Sequence, residues 1–193
     1  KEIPVPPALD VPQQQRVWDL LKAPMFRRLL IVNWFLSSCW DVHTFMVPVI
    51  GHEHGISASA IGAVLGVFAL SAALIRLLPS IAARFPEWKI LAVAMVMNGL
   101  LLGLYPFMDQ AWTMGLLSAC LGLFLGMVQP MVMSTMHQIT PQQRQGEALG
   151  LRLMTINASS VVMPVMFGAL GASVGVSGVF WMVSIGVASA SRL

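Results

Sequence analysis

The stretch Leu29–Ile50 reads LLIVNWFLSSCWDVHTFMVPVI. At ~1.5 Å of rise per residue, about twenty mostly apolar residues make a helix that crosses ~30 Å of hydrocarbon. This one carries an acid, Asp41, near its middle. An aspartate at that depth costs on the order of 2.5–3.5 kcal/mol on insertion scales, so it turns toward protein or water rather than lipid. The polar residues around it are ordered: Asn33, Ser37, Asp41, Thr44 and Pro48 follow steps of four, four, three and four. Such steps hold them within one narrow arc of a helix. One face of this helix is wet or paired.

Composition puts the whole chain in the same class. Of 193 residues, 57% are hydrophobic and 10% are charged, with a mean hydropathy of +0.78. Soluble domains average about 25% charged residues, so this is a membrane protein. Residues 1–26 are polar and proline-rich (PVPPALDVPQQQ), with no signal-peptide pattern. They read as a cytoplasmic linker inside a longer chain, and residues 27–193 as the membrane domain. A short amphipathic piece, Val17 to Leu21, is suited to the bilayer surface. Cys39 and Cys120 both fall inside apolar spans and read as small core residues.

Six apolar segments follow, at about 29–50, 59–79, 89–107, 111–135, 147–170 and 174–190. Lys1, Arg16, Lys22, Arg27 and Arg28 precede the first. Arg76, Arg84 and Lys89 flank the second connection, Arg144 and Arg152 the fourth, and Arg192 ends the chain. The first, third and fifth connections hold no lysine or arginine. This alternation is the positive-inside pattern, and it predicts both termini in the cytoplasm.

Small residues recur at three-and-four spacing on three spans. They are Ser59, Gly62, Gly66, Ala69, Ala73 and Ser80 on the second, and Gly115, Ser118, Gly122, Gly126, Gln129 and Met133 on the fourth. The fifth carries Gly146, Gly150, Asn157, Ser160, Pro164, Gly168 and Gly171. Stripes of this kind let helix backbones approach closely in lipid, which supplies no hydrophobic drive between helices. Asn157 and Pro164 on one stripe also suggest a polar, deformable face.

Asp41 fits a proton-coupling group, a counter-charge for a cationic solute, or a structural acid bonded to a neighbouring helix. His43 lies two residues on, about 200° around the helix, and so faces away from Asp41. It suits either a titrating group or a hydrogen-bonded interface residue. Trp34 and Trp40 suit cavity lining and lipid packing equally. Gln129, near the inner end of the fourth span, is a candidate for solute contact, whereas Arg76 reads as snorkelling to the cytoplasmic surface.

Other strings carry no chemistry. His52-Glu53-His54 lacks the ligand set and scaffold of a metal site. Gly175-Val176-Ser177-Gly178 matches the Gly-x-Ser-Gly of rhomboid proteases, but no histidine follows His137 to activate the serine. The 14 methionines show no clustered ligand spacing. No phosphate-cradling glycine loop is present, and neither a cofactor nor a nucleic-acid partner is expected.

Two runs carry a resemblance: HGISASAIGAVLGVFALSAALIRLLPSIAARF over the first outer loop and second span, and ITPQQRQGEALGLRLMTINASS entering the fifth. With six spans behind a linker, the chain resembles the C-terminal half of a major facilitator superfamily transporter, helices seven to twelve. The family's loop motif would fall on Pro79 to Trp88, where only Arg84 matches. Ala83 stands for the acid, Pro86 for the second glycine, and Glu87 and Trp88 for the basic pair.

The resemblance implies an all-α bundle of two inverted three-helix repeats in the inner (plasma) membrane. It also implies secondary active transport of a small solute, coupled to protons, by alternating access. The first helix of each triple would line the solute path, so the Asn33–Ser37–Asp41–Thr44 and Gly122–Gly126–Gln129 faces would border it. The second helices, with the Asn157 stripe, would meet a missing N-terminal six-helix half, and the third would pack outside. The rival classes are a six-span channel subunit, for which no filter-like loop is present, and an intramembrane enzyme, for which the base is absent.

Overall fold

A computed structural model describes residues 17–77 and 86–190, and the described residues are helical with short connections. Arg84, in the loop-motif segment, lies outside them, as do Lys1, Arg16 and Arg192. A 3-10 turn at Val17–Lys22 tucks Leu20 under the bundle and leaves Trp18 exposed. Helix α1 then runs Pro24–Glu53, with Pro24 in the first turn, where a missing N–H costs nothing. It is followed by α2 (Ala58–Arg76), α3 (Glu87–Leu104) and α4 (Ala111–Ile139). Ser57 caps α2 by accepting the Ala60 N–H at 3.3 Å.

The last helical run, Gln145–Ala190, is broken at Gly175, whose φ of 77° and ψ of 166° only glycine adopts readily. It forms two spans, α5 (Gln142–Gly171) and α6 (Ser173–Ala190). The Gly-Val-Ser-Gly string therefore carries a backbone break near the start of α6.

Among the described residues five helices, α2 to α6, are long and apolar enough to cross a membrane. Helix α1 is the longest of the first four at 30 residues, about 45 Å, but its own polar face dilutes its hydropathy. The architecture is a half bundle of the size and helix order expected from the sequence.

Packing follows the small residues, on one stripe only. A Cβ on Gly122 would meet the carbonyl oxygen of Phe68 and lie 3.0 Å from Ser71 Cβ; one on Gly126 would lie 2.6 Å from the Ala72 carbonyl oxygen. Helix α4 thus presses its glycines onto the backbone of α2. By contrast, Gly62 and Gly66 on α2, and Gly146, Gly150 and Gly168 on α5, have nothing within 4 Å of a built Cβ. Those glycines face outward. Helix α3 packs on α6 through Gly99 and Gly103 against Ser184, whose hydroxyl donates to the Gly99 carbonyl at 2.6 Å.

Polar ties close both ends. At one end, the Glu87 carboxylate accepts from Ser134 at 3.0 Å and from Gln138 at 2.8 Å, joining α3 to α4. At the other, His54 lies 3.8 Å from Asp109, bringing the α1–α2 and α3–α4 connections together.

Candidate functional site

The polar arc of α1 opens onto a cavity of about 570 Å³. Its lining comes from four helices. Leu36, Ser37, Trp40, Asp41 and Thr44 project from α1, Arg76 from α2, Leu125, Val128 and Gln129 from α4, and Ile156 and Ser160 from α5. No residue of α3 or α6 lines it among the described residues. The arrangement follows from periodicity: steps of three and four place Ser37, Asp41 and Thr44 on one line, with Trp40 beside them.

Asp41 is bound by the serine pair of α5. Ser159 donates its hydroxyl to Oδ2 at 2.8 Å and Ser160 donates to Oδ1 at 3.4 Å. These bonds replace part of the water an acid would lose inside a bilayer. Among the described residues no cation lies within ion-pair distance of it. Thr44 donates to the Trp40 carbonyl at 2.9 Å, leaving only its lone pairs for the cavity.

Gln129 is held from behind. The amide oxygen of Gln129 accepts from the Arg152 guanidinium, which also donates to Met133 Sδ at 3.6 Å. Arg152 is 5% exposed, and its Nε has no partner among the described residues. Arg76 donates from Nε to the Gly126 carbonyl at 3.3 Å. Gly126 lies 13 residues before Ile139, the end of α4, which is about 20 Å of helix. Arg76, expected from the sequence to snorkel to the cytoplasmic surface, lies against α4 in the structure and lines the cavity.

The other residues singled out in the sequence lie elsewhere. Asn33 is 1% exposed, off the cavity, with neither amide atom partnered among the described residues. His43 faces the opposite side of α1, as its angular offset requires. Its Nε2 shares a hydrogen bond with Ser118 Oγ at 2.9 Å, and its ring stacks on Phe68 at 4.1 Å. Tyr105 bonds to the same hydroxyl at 3.0 Å, so a buried His–Ser–Tyr chain locks α1, α4 and the end of α3. Asn157 is exposed on the outward face of α5. Gly122 and Gly126 pack on α2, and of their face Gln129 alone reaches the cavity.

Sequence reading missed Arg76, Arg152 and Ser159. A signal existed for the first: Val64, Phe68, Ala72 and Arg76 are spaced by fours and form the stripe that meets α4. For Arg152 and Ser159 the corresponding buried line is Ala148, Arg152, Ser159. Arg76 and Arg152 both stand where a cation flanks a connection, which hides a buried role, and Ser159 is one of many small residues on its span.

Chemically, the cavity joins one acid, one open guanidinium and an amide to a mostly aliphatic wall with a tryptophan. That is the composition of a small-molecule site, apolar with a few placed polar groups. Among the described residues no group of three histidine, cysteine, aspartate or glutamate side chains could hold a metal ion. The family model described as Major Facilitator Superfamily matches residues 29–191. No curated protein matches the chain.

Proposed function

Since this chain belongs to the major facilitator superfamily, a family of membrane transporters of small solutes, we propose that its cavity is one half of the solute path. The observation that carries this is the convergence of Asp41, Arg76 and Gln129 from three helices on one cavity of small-molecule size. In this reading the chain is the C-terminal six-helix half of the transporter, with both termini cytoplasmic. The outward stripes of α2 and α5 meet an N-terminal half across a closely packed seam. Transport proceeds by alternating access, the two halves rocking around the cavity. Asp41 carries the coupling proton, handed between the serine pair and water as the cavity changes sides.

Thiol labelling tests the path. In a full-length chain whose own cysteines are replaced, Ser37→Cys should react with a membrane-impermeant maleimide from either side of the membrane, one side at a time. A cysteine reachable from one side under all conditions would fit a static vestibule and contradict alternating access. One reachable from neither side would remove the cavity from the path.

A further inference from the structure

We infer that the cavity takes a small organic anion with an apolar body, its carboxylate or sulfonate head held by the free end of Arg76 and the amide nitrogen of Gln129. The inference rests on the transport reading above and adds the substrate class.

The cavity wall holds donors that no partner meets among the described residues. Arg76 uses Nε on the Gly126 carbonyl, and its two terminal nitrogens donate to nothing among the described residues. A guanidinium so anchored presents a planar fork that matches two oxygens of one head group. Arg152 carries donors only, so the Gln129 atom it meets must be the amide oxygen, and the NH₂ group is left over. Among the acceptors on the same wall, Thr44 keeps its lone pairs, but the carboxylate is already bonded. Both Asp41 oxygens take serine hydroxyls. The wall therefore asks for an acceptor-rich head. Leu36, Trp40, Leu125, Val128 and Ile156 offer an apolar body its surface.

Charge supports the same class. The charged groups around the cavity are Asp41 from α1, Arg76 from α2 and, behind Gln129, Arg152 from α5. The cavity wall of α4 is uncharged, and His43 lies on the far side of α1. Asp41 and Arg76 form no ion pair. With a proton on Asp41, Arg76 is the charge left facing the cavity, so proton and anion load together. Losing that proton restores the acid's negative charge near the site and releases the anion.

The test is ligand-induced thermal stabilisation of the purified full-length chain by probes that share a body and differ in head. These are phenylacetate, benzenesulfonate, phenethylamine and phenylacetamide, with hexanoate and hexylamine as the aliphatic pair. The carboxylates and the sulfonate should stabilise the protein, and Arg76→Gln should weaken their binding on the order of 10- to 100-fold. Arg76→Lys keeps the charge without the fork and should fall between. It also carries the comparison if Arg76→Gln unfolds. Anion binding unchanged by either variant overturns the assignment. Stabilisation by the amines, lost in Asp41→Asn, overturns the anion class and leaves the transport reading intact. No stabilisation by any head group counts against the cavity as a binding site, and so against both.

Discussion

At the residue scale, several buried polar groups depend on a few shared partners. Gln129 supplies the acceptor for a guanidinium that is almost wholly enclosed. Gln129→Leu should lower stability by about 1.5–3 kcal/mol, the worth of a hydrogen bond to a charged group, whereas Gln129→Glu should keep it. Thermal unfolding in detergent reads this directly, and equal midpoints for the leucine variant and the parent would contradict it. Ser118 serves both His43 and Tyr105, so Ser118→Ala leaves two buried groups short and should cost about 1–3 kcal/mol by the same measurement. What the sequence could say here was angular. The offset of His43 from Asp41 follows from helix geometry alone. Which helix Arg76 or Arg152 turns to depends on tertiary neighbours, and an arginine four residues past Ala72 looks like an end-of-helix cation until α4 is in place.

At the element scale, small-residue stripes were legible but their partners were not. The same three-and-four spacing occurs on α2, α4 and α5, yet only the α4 stripe is filled, by the backbone of α2. Gly126→Leu should therefore force the α2–α4 seam apart and cost about 1–3 kcal/mol or more of bundle stability. Gly66→Leu adds a side chain where nothing lies within 4 Å, and should leave the stability of this chain by itself nearly unchanged. Unfolding midpoints of the two variants side by side check the pair, and a larger loss for Gly66→Leu would reverse the assignment of faces. The segment boundaries were read to within a few residues because hydrophobic length is set by the bilayer. The α5–α6 break needed Gly175, whose positive φ no periodicity announces.

At the scale of the whole molecule, two outward stripes and many exposed apolar side chains surround a cavity that is lined on one side. Leu70 is 59% exposed on α2 and Val165 is 70% exposed on α5. Some such surface belongs to lipid, which is as apolar as leucine. The glycine stripes are suited to a second helix instead. Expressed by itself, the chain should self-associate in detergent, and size-exclusion showing a monodisperse monomer would count against a protein seam there. The class, the span order and the polar arc of α1 were readable because each rests on local period or composition. The site was readable only in part, since a cavity is made by residues far apart in sequence: Asp41 and Ser159 are 118 positions apart.

The most direct measurement concerns Asp41 itself. Uptake of a transported solute by the full-length chain in proteoliposomes would be followed with and without a proton gradient, for the parent and for Asp41→Asn. Asparagine keeps the size and the serine contacts but cannot carry a proton. If Asp41 carries the coupling proton, Asp41→Asn abolishes gradient-driven accumulation while solute exchange across the membrane persists. Accumulation that stays gradient-driven in the variant would contradict it, and would reduce Asp41 to a hydrogen-bonded strut between α1 and α5.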